Sequence, residues 1–187
     1  DVAVDPETVD VFVVDKGNNR VQKFSSTGTF LMQFGTLGSG NGQFKEPGGV
    51  GIAPNGTLWV ADTGNRRIQQ FSLSGTYIAK IGPVLQNGGG ELQQPVDVAV
   101  GTNQNAEVLY ISDSVANRVR GVLFNGWYLG DLPPGPSGSF LQPTGIAIDK
   151  YNNTYVVEAG GNRVKRFSAS GQYLLQFGSS GSGPGQF

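Results

Sequence analysis

The chain of 187 residues contains no cysteine and no histidine. The first absence excludes disulfides and thiol chemistry, although it leaves the compartment open. The second removes the commonest general base, and with it any Ser-His-Asp or Cys-His arrangement. A zinc site would need carboxylates alone, an unusual ligand set. Long apolar runs are missing too. No stretch of about 18 apolar residues occurs, so no membrane span is expected. Nor is there a basic-then-apolar leader, so any secretion signal is expected outside this stretch. Charge is sparse and balanced, with 13 basic against 14 acidic residues. That balance gives no overall pull toward nucleic acid or an anionic membrane.

Glycine is abundant: 30 residues, mostly between apolar runs, where they punctuate structure. The turns they mark belong to a repeat. Asp15-Lys-Gly-Asn-Asn-Arg20, Asp62-Thr-Gly-Asn-Arg-Arg67, Asp113-Ser-Val-Ala-Asn-Arg118 and Glu158-Ala-Gly-Gly-Asn-Arg163 are four versions of one phrase. Their acids lie 47, 51 and 45 positions apart. A period in that range implies a repeat architecture.

Each unit holds four short extended segments bounded by turn residues. In the second unit they are Pro47–Ala53, Leu58–Ala61, Ile68–Phe71 and Tyr77–Ile81. β-branched and aromatic side chains dominate them, as strands require. The second segment is apolar on consecutive positions, so both of its faces need covering. A repeated four-stranded sheet covered on both faces is a β-propeller blade. The fold class is therefore all-β, and the units run from about 1–46, 47–94, 95–142 and 143–187 within a single domain.

The residues resemble the NHL repeat family. The likeness lies in Pro143-Thr-Gly-Ile-Ala-Ile-Asp149, in Val60-Ala-Asp-Thr-Gly-Asn-Arg-Arg-Ile-Gln-Gln-Phe71, and in the spacer Gly38-Ser-Gly-Asn-Gly-Gln-Phe44. It extends over essentially the whole chain and implies four NHL-type blades. Family members most often close with about six blades. Asp1 aligns with Gly49, Asp97 and Gly145, and Phe187 with Phe44, so the stretch begins and ends at nearly one phase of the repeat. Three arrangements are open: part of a larger ring, a closed ring of four, or an open array whose ends meet other copies.

The recurring acid and arginine, Asp15/Arg20, Asp62/Arg67, Asp113/Arg118 and Glu158/Arg163, could form a carboxylate ring for Ca²⁺ or acid–base work. Their presence in every unit favours a structural role in the turn. No cofactor or metal site is assigned. Ten of the 13 basic residues lie in or just before the third segment. The resemblance allows RNA binding on that loop face, with Lys23, Arg120 and Lys165 as phosphate contacts. Trp127 stands where the other units have Thr29, Thr76 and Gln172. It is either a partner contact or a packed replacement for the phenylalanine that Val122 displaces. Asn55 and Asn152 begin N-glycosylation patterns, about as many as chance gives in a chain this rich in Asn, Ser and Thr. They tilt the expectation weakly toward an exported protein.

The leading expectation is a non-catalytic interaction or assembly scaffold that presents loops to protein, glycan or other copies of itself. An enzyme is the alternative, since the resemblance includes lyases and hydrolases. The peptide-amidating lyases among them use metal-bound histidine, for which this chain has no counterpart. Catalytic residues would then lie in blades beyond this stretch.

Overall fold

The computed structural model describes residues 1–103 and 106–187. It consists of four antiparallel sheets of four strands, each in simple sequence order. In the second blade the strands are Val50–Ala53, Thr57–Asp62, Arg67–Ser72 and Tyr77–Ile81. The other three repeat this pattern, and the register shifts between third and fourth strands at one equivalent place in all four: Lys23/Phe24, Gln70/Phe71, Gly121/Val122 and Arg166/Phe167. The all-β propeller expected from the sequence is the fold observed.

Two local features were not foreseen. The acid-to-arginine turn is a single 3-10 turn at Lys16–Asn18, Thr63–Asn65 and Ala159–Gly161. The residue just before the arginine is left-handed in every blade: Asn19, Arg66, Asn117 and Asn162 have φ between 47° and 57°. Asparagine tolerates that conformation best among residues with a side chain, which explains its recurrence there. The second feature is a small hairpin, Val84–Leu85 with Gly90–Glu91, inside the spacer after the second blade.

The blades stack face to face. Phe12, Val14 and Val21 of the first blade meet Leu58, Val60 and Phe71 of the second. Trp59, Ala61 and Ile68 of the second meet Leu109, Ile111 and Val122 of the third. Tyr110 and Val119 of the third meet Val156 and Phe167 of the fourth. Among the described residues these three cores join the four blades, and no fourth core joins the last blade to the first. Of the three arrangements, the closed ring of four is thus not the one observed.

Burial records the difference. Every residue of Leu58–Asp62 and Val108–Asp113 is buried, so the middle blades are covered on both faces as expected. In the outer blades the second strand alternates between buried and accessible positions. Val2 and Val4 lie exposed at one end of the stack, Val157, Leu175 and Phe177 at the other. Among the described residues no helix is long and apolar enough to cross a membrane.

Candidate functional site

The best-formed version of the repeated phrase is in the second blade. Asp62 Oδ2 accepts hydrogen bonds from Arg67 Nε at 2.7 Å and Gln69 Nε2 at 3.0 Å. Its Oδ1 accepts from the Lys45 backbone N–H at 2.8 Å, and Asn65 Nδ2 donates to both oxygens. Arg67 in turn donates to the carbonyls of Ser39, Gly40 and Gln43. The carboxylate therefore ends one strand, closes the turn and holds the arriving spacer. Its lone pairs are filled by N–H donors, which is the structural role.

The third blade departs from the scheme. Arg118 pairs with Asp131 at 3.3 Å, not with Asp113. Its partner position is taken by Arg120, which pairs with Asp113 at 3.2 Å. In the fourth blade Glu158 pairs with both Arg163, at 2.6 Å, and Lys165, at 2.7 Å.

Arg120 and Lys165 share a column with Gln22 and Gln69, two residues after the motif arginine. Sequence reasoning missed what that column does: it binds the spacer. Gln69 Nε2 donates to the Gln43 carbonyl, and its Oε1 accepts from the Gly42 N–H. Arg120 donates to the carbonyls of Gly89 and Glu91, Lys165 to those of Pro134 and Gly138. Three spacers of different backbone path are thus met by three different side chains. Long donors serve the spacers that turn differently, and glutamine serves the Gly-x-Gly-Gln-Phe type.

The three residues read as phosphate contacts are engaged within the chain. The side chains of Arg120 and Lys165 are 4% and 0% exposed, and both are bound internally. Lys23 pairs with Asp10 at 2.9 Å and lies over the Phe12 ring.

Trp127 resolves differently. It is 45% exposed in the turn Asn125–Trp127, its backbone N–H donating to Asn125 Oδ1. Val122 and Trp59, whose ring packs on Phe124 at 4.8 Å, lie in the buried core between the second and third blades, and Trp127 is not part of it. Trp127 does not compensate for Val122. It stays available at the surface.

The two sequons also separate. Asn55 is exposed, and its Oδ1 closes a local turn with Thr57. Asn152 Nδ2, the atom that carries a glycan, donates to the Thr102 carbonyl of the neighbouring blade, while its Oδ1 accepts from the Thr102 N–H. Expression through a secretory route is therefore expected to modify Asn55 and leave Asn152 bare. Mass spectrometry of glycopeptides checks this, and a glycan on Asn152 in the folded protein would contradict it.

The first strands of all four blades border a common central cavity, into which Asp1 and Asp97 project. Asp97 accepts from the N–H groups of Val98 and Ile146, yet burial raises its pKa above the usual carboxylate value. Asp15 shifts the other way: hydrogen bonds from Asn18, then Arg20, lower its pKa. Among the described residues no group of three or more His, Cys, Asp or Glu gathers as a metal site.

Four-stranded blades stacked around a central cavity define a β-propeller. Residues 44–71, the end of the leading spacer and the second blade as far as Phe71, match the family model for the NHL repeat. Among curated proteins none matches this sequence. Solved structures resemble the fold at low identity. A streptogramin B lyase is 21% identical with a TM-score of 0.67, covering 92% of this chain and 52% of its own. Virginiamycin B lyase from Staphylococcus aureus is 20% identical with a TM-score of 0.66, covering 94% and 54%. Kuenenia stuttgartiensis hydrazine synthase is 12% identical with a TM-score of 0.67, covering 94% and 47%. This chain spans about half the length of those chains.

Proposed function

We propose that this chain is a non-catalytic interaction scaffold that engages protein partners through its blade faces and its exposed turns. The observation that carries the proposal is Trp127, 45% exposed on the Asn125–Trp127 turn of the third blade, where the other blades have Thr29, Thr76 and Gln172. Tryptophan is among the side chains most enriched as anchors of protein interfaces, and here it stands free on a rigid blade.

The lyase likeness supports the fold more than the chemistry. A histidine-to-alanine variant of virginiamycin B lyase, solved with quinupristin, is catalytically inactive. This chain has no histidine to take such a role. Asp97 is the best-placed ionisable group of the central cavity, but both of its oxygens hold backbone N–H groups.

Photo-crosslinking tests the proposal. A benzophenone side chain at Trp127 is expected to give protein adducts, and one at Thr27, an exposed polar turn, none. Absence of adducts at Trp127 would remove the scaffold. Consumption of quinupristin by the purified chain would overturn its non-catalytic half.

A further inference from the structure

The interface between the third and fourth blades differs from the other two at its outer rim. In each blade one row of paired residues crosses the second, third and fourth strands. It reads Phe12, Lys23 and Met32 in the first blade, Trp59, Gln70 and Ala79 in the second, and Tyr155, Arg166 and Leu175 in the fourth. In the third blade it reads Tyr110, Gly121 and Gly130. Only one of its three positions carries a side chain.

The other two interfaces close this row. Lys23 pairs with Asp10 at 2.9 Å, and Gln70 Nε2 donates to Thr57 Oγ1 at 3.1 Å. The Met32 methyl group lies against Gly75, in the turn after the third strand of the second blade, where a Cβ would stand 2.8 Å from it. Between the second and third blades Ala79 is short, but Gln86 from the spacer hairpin lies beside Gly126 in the equivalent turn.

Between the third and fourth blades neither device is present. Val108 stands in the column of Asp10 and Thr57, and Gly121 in that of Lys23 and Gln70, so both members of the polar pair are replaced together. Leu132 takes the place of the larger Phe34, and a Cβ on Gly130 would meet no atom within 4 Å. The result is a cavity of about 150 Å³. Val108, Tyr110, Leu129, Leu132 and Pro133 give it apolar walls. Its polar side chains are Ser170 and Asp131, the latter already paired with Arg118. Leu129 and Ser170 are exposed, so the cavity opens to solvent there. Every wall comes from residues 108–171, in an interface that this chain completes by itself. An apolar cavity of about 150 Å³ accommodates benzene.

We propose that this cavity receives one apolar side chain, of phenylalanine size, from an extended segment of a partner protein. The proposal rests on the scaffold function and gives its partner an anchor pocket close to Trp127. The strand Tyr128–Asp131 is the outermost of its sheet, so one edge is open to a further strand. The chain itself already uses the start of that edge. Gln86 bridges Trp127 in parallel, its N–H donating to the Gly126 carbonyl and its carbonyl accepting from the Tyr128 N–H. A partner segment along Leu129–Asp131 presents alternate side chains to the blade, one of them at the cavity mouth. Trp127 lies two residues before Leu129, within reach of the same segment.

Selection of random phage-displayed peptides, about ten residues long, on the intact chain tests this. The enriched peptides are expected to share one Phe or Leu. A synthetic copy of the commonest is expected to lose affinity at least about tenfold when that residue becomes alanine. Gly121 lies in ordinary strand backbone, unlike Gly130 at φ 143°, so the filling substitution belongs there. Gly121→Gln restores the residue of the second blade and is expected to cut peptide affinity at least about tenfold while circular dichroism and unfolding midpoint are retained. Leu129→Ser, at an exposed wall, is expected to weaken binding in the same direction, and decides the matter if Gly121→Gln folds poorly. Failure to enrich any peptide, or peptides that bind both variants as tightly as the wild type, overturns the proposal. Iodobenzene seen in the cavity of a crystal, with no peptide enriched, would assign it to a small apolar ligand and also overturn the partner segment. If no peptide is enriched while the Trp127 probe still gives adducts, the pocket falls and the scaffold function stands; if the probe gives none, both fall.

Discussion

Asp62→Ala is expected to cost about 3–5 kcal/mol of stability, the range for removing one partner from a buried ion pair. Asp15→Ala, the same change in the same phrase, is expected to cost a small fraction of that. Asp62 and Arg67 lie 2.7 Å apart with side chains 0% and 6% exposed. Deleting the carboxylate leaves Arg67, Gln69, Asn65 and the Lys45 N–H without their common acceptor. Arg67 keeps its three spacer carbonyls but loses its counter-charge in a region that water does not reach. Asp15 has the same local donors but water on one side, which can replace what is lost. Urea unfolding of both variants, followed by tryptophan fluorescence, checks the contrast. Equal losses would mean that burial between blades does not set the strength of the motif.

The architecture was legible in the sequence because repetition amplifies weak signals. One strand of four residues is ambiguous between strand and buried helix segment; the same strand four times at one spacing is not. The Asp-to-Arg phrase was legible as structure for the same reason. Burial was harder to read. A repeat gives each unit the same apolar pattern, so Val60 in the second blade and Val13 in the first look alike, although only Val60 is fully buried. The difference depends on what stands beside the blade, which composition does not encode. Arg120 and Lys165 were misread by the same mechanism. A basic residue in a third strand looks like surface charge until the spacer that covers it is placed. The clue was the column itself, where Gln22 and Gln69 accompany the Gly-x-Gly-Gln-Phe spacers and longer donors accompany the others. Trp127 was separable because it broke a polar column, but whether it packed or stood free turned on the shape of a neighbouring core.

Trp59→Ala is expected to cost about 3–5 kcal/mol, since the indole is wholly buried and its loss leaves a cavity between rigid sheets. The more discriminating changes are at its partner. Phe24, Phe71 and Phe167 occupy the column in which the third blade has Val122. A phenylalanine at 122 would restore the repeat consensus, yet it is expected to destabilise by about 1–3 kcal/mol, because Val122 is wholly buried in a core that Trp59, Leu92 and Tyr128 share. Combined with Trp59→Ala, Val122→Phe changes sign and recovers part of the loss, a coupling of about 0.5–3 kcal/mol in a double-mutant cycle. Trp59→Phe is the mildest of the series. The indole Nε1 is buried without a hydrogen-bond partner, so removing it relieves an unmet donor and offsets some of the lost volume. Denaturation midpoints of the four variants decide the matter. Additive losses for Trp59→Ala and Val122→Phe would show that the two residues, although members of one core, do not share a space.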